Sequence, residues 1–372
     1  LEAHLESIIE SRIENVRRSL TEADIDTLMV LVAENRYYLS GYTGEDSQFD
    51  ETAGALFITR DNLILATDPR FDTQAAKEAS LYDIVCYKEG LAKELPEIVK
   101  RLETRKLGFE SVRLTCLQYN KMREALEEAE LEATLVPVED IVENLRVIKT
   151  EDEIEATRKS LAVAKDAFEA VLAKLEPGMT ETEGAWQLEI AVREKGGKGL
   201  SFPTICATGT NSALPHAIPG DKTFREGDPL LFDWGVFAGH YCSDTTRTVV
   251  LGKPDGLFKR VYTTVLEAQR KAIAAIKAGA SSKAVDAAAR EFIDGTEFKG
   301  KFAHGTGHGT GLAVHEAPRL SPLRDETLGA GMIVTVEPGI YLPEWGGIRL
   351  ENQVVVREDG AEVLNRLGFI EF

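Results

Sequence analysis

The 372-residue sequence contains no apolar run approaching the ~18 residues that a membrane-spanning helix requires, so none is expected. Cysteine is scarce: Cys86, Cys116, Cys206 and Cys242 show no CxxC spacing. Cys86 and Cys206 lie in apolar, strand-like runs and read as reduced core thiols, which favours a cytoplasmic location. There is no basic excess. The formal charge is −19, with 30 acidic against 18 basic residues over 1–150, so no basic face offers itself to nucleic acid or to a membrane surface, and neither is expected as a partner. Internal repeats, low-complexity tracts and Pro-rich linkers are also lacking. Residues 1–20 mix acids and bases and do not form a secretory leader, although a start at Leu1 rather than Met leaves a removed leader open.

What is present is ordinary globular composition, 43% apolar and 28% charged. The length predicts two domains, each able to bury its own core. The first half alternates helix-like and strand-like patterns: a helix near 5–20, strands over Thr27–Ala33, Ala55–Ile58 and Leu63–Ala66, helices over Leu91–Leu102 and Leu117–Glu130, and apolar segments at 106–109 and 133–136. This predicts a small α/β domain over 1–145. Thr150 with Glu153 and Thr180 with Glu183 form capping boxes that open two helices, the first ending at Pro177-Gly178. Apolar β segments over 202–251, helices near 255–278 and 282–293, and further β segments predict an α+β domain over 146–372.

The chemistry-bearing residues fall in this second domain. The run from Pro229 to Phe237 meets the run from His240 to Val250 across Ala238-Gly239, which predicts a hairpin placing Asp233 directly opposite Asp244. Two carboxylates about 5 Å apart on one face repel, so a cation is expected between them; the alternative is a solvated Asp233 and an Asp244 that caps a bend. His304, His308 and His315 lie within twelve residues among glycines, a cluster suited to a metal site. A phosphate-cradling loop competes with that reading, but no Gly-Lys-Ser/Thr ending follows. Glu337 and Glu351 sit in two apolar runs expected to be strands joined by a loop with Pro343 and Gly346-Gly347, and Val334, Val336 and Ile340 argue that at least Glu337 is buried. Four carboxylates with one or more histidines make an oxygen-rich site for two divalent ions, favouring Mn²⁺ or Co²⁺ over a thiolate-type zinc site, and such a pair supports hydrolysis.

These motifs resemble the pita-bread metallopeptidases that include prolidase, aminopeptidase P and methionine aminopeptidase. The stretch from Glu34 to Gly44 and Asp68-Pro-Arg-Phe71 resemble the N-terminal domain shared by creatinase, prolidase and aminopeptidase P, so the resemblance covers nearly the whole chain. It implies a metal-dependent exopeptidase acting at the Xaa-Pro bond, with an Xaa-Pro dipeptidase favoured over an Xaa-Pro aminopeptidase acting on longer peptides, and an inactive binding protein as a remote alternative. By the same resemblance Asp233 chelates one ion, His308 and Glu337 the other, and Asp244 and Glu351 bridge both, with Mn²⁺ or Co²⁺ expected and Zn²⁺ a third option. Glu337 is then the general base, His315 stabilises the oxyanion, and His216 contacts substrate near the scissile nitrogen. His304 and Arg349 position substrate, Phe202, Ile205 and Val314 line the proline pocket, and Arg319 meets the carboxylate of a dipeptide. The implied partner is a proline-containing di- or oligopeptide, and the implied assembly a homodimer. His4 and His240 receive no role, surface and strand respectively. Two departures stand out: Trp234 follows Asp233 where relatives carry other aromatics, and Asn352 replaces a frequent aspartate after Glu351, making any support of that glutamate neutral. Residues 45–51 read as an acidic insertion.

Overall fold

Six short apolar runs in the first part of the chain pair into one sheet. The computed structural model describes residues 2–46, 48 and 51–372, and the chain divides into two units, 1–145 and 146–372. The first unit runs α1 (Glu2–Glu22), β1 (Thr27–Val30), α2 (Ala33–Ser40), β2 (Ala55–Thr59), β3 (Leu63–Thr67), α3 (Asp72–Glu78), β4 (Asp83–Cys86), α4 (Leu91–Arg101), β5 (Lys106–Glu110), α5 (Cys116–Glu128) and β6 (Thr134–Val138). Its sheet has the order β4-β3-β2-β1-β5-β6. Met29, Phe57, Ile64 and Leu107 of the sheet pack on Leu95 and Ile98 of α4 and on Met122 and Leu126 of α5. The run expected as one strand over Thr27–Ala33 stops at Val30. The buried Glu110 carboxylate accepts from Leu31 N at 2.6 Å and Val32 N at 2.7 Å, so these amides turn into α2 instead of continuing the ladder. Cys86, expected in the core, ends the edge strand β4 and is exposed, whereas Cys206 is buried as expected. Of the acidic segment 45–51, Ser47, Phe49 and Asp50 lie outside the described residues; Asp46 is paired with Arg36 at 2.7 Å.

A four-residue turn of helix, α6 (Glu143–Arg146), spans the division. The second unit continues with α7 (Glu151–Leu172), α8 (Glu181–Glu194), β7 (Gly199–Leu200), β8 (Ile205–Thr208), a 3₁₀ turn at Gly209–Ala213, β9 (Pro229–Trp234), β10 (Val236–Ala238), β11 (Tyr241–Cys242) and β12 (Thr245–Val250). It ends with α9 (Gly256–Ala275), α10 (Ser282–Asp294), β13 (Gly307–Gly309), β14 (Glu316–Leu320), β15 (Ile333–Val336), β16 (Gly339–Leu342), β17 (Gly346–Arg349), β18 (Asn352–Arg357) and β19 (Gly360–Val363). All strand pairs here are antiparallel, in sheets β11-β10-β7, β12-β9-β8, β14-β13-β15-β18-β19 and β16-β17. Both expected capping boxes form, at Thr150 for α7 and Thr180 for α8.

Strand periodicity divides β9 between two tasks. Leu230, Phe232 and Trp234 point into a core with Ala164 and Phe168 of α7 and Leu188 of α8; Trp234 stacks on Phe168 with centroids 4.3 Å apart and donates to Ala164 O at 3.2 Å. The aromatic departure therefore faces away from Asp233. On a second core, Val261, Val265, Ala268 and Ala272 of α9 meet Val334 and Val336 of β15 and Val354 and Val356 of β18.

The hairpin turn is Gly239-His240, not Ala238-Gly239, and Asp233 lies opposite Thr246, not Asp244. A tight turn of this kind needs two successive left-handed residues; Gly239 and His240 supply them at φ 59° and 67°. That also moves His240 from strand to turn. Shifting the turn by one residue shifts the register by two, which keeps the same residues on the same face, so Asp244 stays on the Asp233 side. The two expected strands carrying the glutamates are four, because each breaks at its glutamate: β15 ends before Glu337-Pro338 and β17 ends before Leu350-Glu351. Gly346 and Gly347 lie in β17 and not in the connecting loop.

Close backbone approach around His308 depends on its flanking glycines. A Cβ at Gly307 would stand 1.9 Å from Thr335 O, and one at Gly309 would stand 2.0 Å from Ala317 O. Gly307→Ala is expected to lower unfolding free energy by about 1–3 kcal/mol through forced backbone displacement, read from urea denaturation; an unchanged midpoint would refute that packing constraint.

Candidate metal centre

Every candidate site residue lines one cavity of about 810 Å³: Phe202, Ile205, His216, Asp233, Asp244, His304, His308, Val314, His315, Arg319, Glu337, Arg349 and Glu351. The strands explain the convergence. Ile205 of β8 and Thr246 of β12 flank Asp233 of β9 across the sheet, and Arg319 of β14 faces His308 of β13. Oxygen atoms of Asp233, Asp244 and Glu351 lie within 4.8 Å of one another. His308 Nε2 stands 3.4 Å from Glu337 Oε1 and 3.6 Å from Asp244 Oδ2. Glu351 and Asp244 are the deeply buried members, at 1% and 5% exposure. Glu337, expected to be the surely buried one, is only partly so, because its side chain opens on the cavity at 18% exposure.

Few donors oppose this negative charge. Arg349 Nη2 donates to Asp233 Oδ2 at 2.6 Å, Thr246 Oγ1 to Glu351 Oε2 at 2.7 Å, and Thr335 Oγ1 to Glu337 Oε1 at 3.2 Å. Asp233 Oδ1 and Glu351 Oε1 are buried with no hydrogen-bond partner. Burial, and then the charges of Glu351 and Asp233, hold the Asp244 carboxyl well above the ordinary carboxylate range; burial and the charges of Glu337 and Asp233 do the same to Glu351. Burial also raises Glu337, against the opposing charge of Arg349.

Burial lowers His304, His308 and His315 below the ordinary imidazole range. Burial, followed by the neighbouring His315, brings His308 down to about 3. Its Nδ1 lies 3.0 Å from Gly309 O, so the ring proton is assigned there and the Nε2 lone pair faces the carboxylates. Both nitrogens of His304 are engaged, Nδ1 with Gly305 O and Nε2 with the Tyr341 hydroxyl, each at 2.8 Å, and burial lowers it to about 4. His304 thus has no free lone pair for a metal. Arg349 Nη1 donates to the same hydroxyl at 2.9 Å. Unpartnered buried oxygens, mutually repelling carboxylates and one free imidazole nitrogen form a donor set that fits divalent cations.

Surrounding residues hold this set in place. Glu337 N donates to Thr306 O at 2.8 Å and Glu351 N to Thr246 O at 3.1 Å. Arg290 Nη2 donates to His304 O at 2.7 Å, and Asp286 Oδ1 accepts from Thr306 N at 3.0 Å, which pins the histidine loop to α10. Glu316, next to His315, pairs with Arg146 and, at 3.0 Å, with Lys149. Asn352 acts through a neighbour: its Oδ1 accepts from the buried Arg247 Nη2 at 2.9 Å, and Arg247 Nη2 also donates to Leu367 O at 2.8 Å. Burial lowers the Arg247 guanidinium to about 10. Sequence reading missed Tyr341, Thr246, Arg247 and Gln269, and also Ile218, Leu323 and Arg324 on the cavity wall. Tyr341 carried a signal, as the one polar tip in the apolar run after Glu337; the others did not.

Comparison with known proteins gives the family of the chain. Residues 155–358 match Metallopeptidase family M24, and residues 12–148 match the Creatinase/Prolidase N-terminal domain. The chain is 35% identical over 358 residues to the Xaa-Pro dipeptidase of Pyrococcus furiosus, covering 96% of this chain and 98% of that one. It superposes with a TM-score of 0.91 and 38% identity on the Xaa-Pro dipeptidase from Bacillus anthracis, covering 97% and 99% of the two chains. The X-Pro aminopeptidase from Thermotoga maritima MSB8 gives a TM-score of 0.85 and 34% identity, covering 94% and 97%.

The crowded carboxylates set a measurable balance between metal-free and metal-loaded protein. Asp244→Asn removes a carboxyl whose ionisation burial and its neighbours disfavour in the folded state but not in the unfolded one, so above the ordinary carboxylate range the metal-free variant is expected to melt higher than the wild type. Metal at about 100 times its Kd is expected to add about 2.7 kcal/mol to wild-type unfolding free energy and less to the variant. Thermal melts with and without Mn²⁺ check both, and a wild type unmoved by metal would count against the centre.

Proposed function

Because the chain belongs to Metallopeptidase family M24 and carries a creatinase/prolidase N-terminal domain, we propose that it is a two-metal Xaa-Pro dipeptidase. The observation that carries this reading is the clustering of Asp233, Asp244 and Glu351 oxygens within 4.8 Å, two of them buried without partners, in the cavity that also holds His308 and Glu337. Asp233 would hold one ion, His308 and Glu337 the other, with Asp244 and Glu351 shared; Mn²⁺ or Co²⁺ suits the oxygen-rich set, with Zn²⁺ a third option. When bound, the ions would supply Lewis acidity to the scissile carbonyl and activate water for attack.

The remaining steps fall to the chain's own residues. Glu337 takes the proton of the attacking water; its carboxyl is raised by burial towards the range where proton uptake near neutrality is effective. His315 and His216, both exposed on the cavity wall, stabilise the oxyanion and contact the scissile nitrogen. Phe202, Ile205 and Val314 receive the proline ring. His304 and Arg349, joined through Tyr341, orient the substrate. Arg319 takes the dipeptide's carboxylate: among the described residues its side chain has no hydrogen-bond or ion-pair partner, and its charge is felt at His308, His315 and Glu337. A homodimer working in the cytoplasm completes the reading. Likeness to the Thermotoga X-Pro aminopeptidase supports a second reading, cleavage of longer peptides.

Mn²⁺-loaded protein is expected to hydrolyse Ala-Pro, and chelation to abolish that activity. Arg319→Ala is expected to raise KM for Ala-Pro about tenfold or more, the size of a charge-assisted hydrogen bond. Cleavage of Ala-Pro-Ala without Ala-Pro would replace the dipeptidase reading by the aminopeptidase one, and silence on both would overturn Xaa-Pro hydrolysis.

A further inference from the structure

A single amide on α9 reaches the backbone on which both metal-site glutamates hang. Gln269 is 1% exposed and sits on the helix face formed by Val265, Ala268 and Ala272, which is otherwise apolar. A primary amide is costly to bury there unless its polar atoms are bonded. Its Nε2 donates to Val336 O at 3.0 Å and to Leu350 O at 2.8 Å. Both acceptors are carbonyls, so the amide orientation is fixed, and both hydrogens of the one nitrogen are used.

Those two carbonyls belong to the peptide groups that lead into Glu337 and Glu351. Each strand breaks at that point, so the carbonyls lack the continuous ladder that would otherwise orient them. The other ends of the same peptide groups are bonded too, Glu337 N to Thr306 O at 2.8 Å and Glu351 N to Thr246 O at 3.1 Å. Each peptide plane is therefore held at both ends, and one end of each is held by the same side chain. Fixing the plane places the Cα of the following glutamate and the N–Cα axis from which its side chain leaves, and metal ligands tolerate placement errors of only about 0.5 Å.

We propose that Gln269 is a positioning residue for the dinuclear centre, setting the spacing of Glu337 and Glu351 by stapling the peptide groups that precede them. The inference rests on the ligand assignment proposed above. It differs from simple core packing, because the volume of Gln269 is easily matched while its pair of donors is not.

The test compares the full chain with Gln269→Met, which keeps the volume and removes both donors, and Gln269→Asn, which keeps the amide but draws it back by one methylene. Val265→Ala, on the same face of α9, supplies a core lesion without any bond to the site. Mn²⁺ affinity and stoichiometry are measured by calorimetry on protein whose folded state is checked by circular dichroism, together with kcat and KM for Ala-Pro at saturating metal. Both Gln269 variants are expected to bind at least one Mn²⁺ more than tenfold more weakly and to lose more than tenfold in kcat with little change in KM, whereas Val265→Ala loses thermal stability and retains Mn²⁺ affinity. Should Gln269→Met fail to fold, the milder Gln269→Asn decides. Wild-type Mn²⁺ affinity and kcat in a folded Gln269 variant would overturn the proposal, as would an equal loss of affinity in Val265→Ala. A wild type that takes up no Mn²⁺ would instead overturn the ligand assignment.

Discussion

Asp233, Asp244, Glu337 and Glu351 converge at the wall of one cavity, Asp244 and Glu351 buried and the other two partly so. Two unit charges 4 Å apart interact by about 4 kcal/mol at an effective dielectric near 20, so four carboxylates cannot all stay ionised together without a cation or a proton among them. The surrounding chemistry answers to this constraint. Arg349 neutralises part of Asp233, Thr246 and Thr335 each give one hydrogen bond, and His308 stays neutral so as not to repel an incoming cation. The supply of donors stops short of satisfying Asp233 Oδ1 and Glu351 Oε1. A core built for stability alone would have replaced such groups by apolar ones.

The backbone carries the same logic. In an unbroken strand, neighbouring side chains alternate faces, so one strand offers a fixed row of positions. Breaking β15 from β16 at Glu337-Pro338 and β17 from β18 at Leu350-Glu351 frees both glutamates from that row. The freed peptide groups are then held by side chains and by neighbouring segments, Gln269 and Thr306 on one side, Gln269 and Thr246 on the other. Such a pita-bread arrangement combines ligands from segments far apart in sequence while leaving the sheet cores of α9, β15 and β18 intact.

Much of the site was legible because its residues violate local composition. Acids inside apolar runs at Asp233, Glu337 and Glu351, and three histidines among glycines, stand out without any coordinates, and all of them line one cavity. Capping boxes at Thr150 and Thr180 were legible for the same reason, since their signature is contiguous. What escaped was decided by partners distant in sequence. Val30 ends its strand because Glu110, some eighty residues on, claims the next two amides. The turn at Gly239-His240 rests on a left-handed histidine that composition does not announce. That residue 352 gives Glu351 only neutral support was legible; the route was not, since Asn352 turns to Arg247, which bonds the backbone oxygen of Glu351 rather than its carboxylate.

The raised carboxyls have a consequence for exchange with solvent. Burial and mutual repulsion hold the Asp244 and Glu351 carboxyls above the ordinary carboxylate range, so the cluster favours protons over bare charge. A cation entering the cluster would take the place of such protons. Under the proposed ligand assignment, ion uptake and proton release would be two halves of one exchange: acidification and a chelator would empty the centre by the same equilibrium, and ions entering the folded protein would acidify an unbuffered solution.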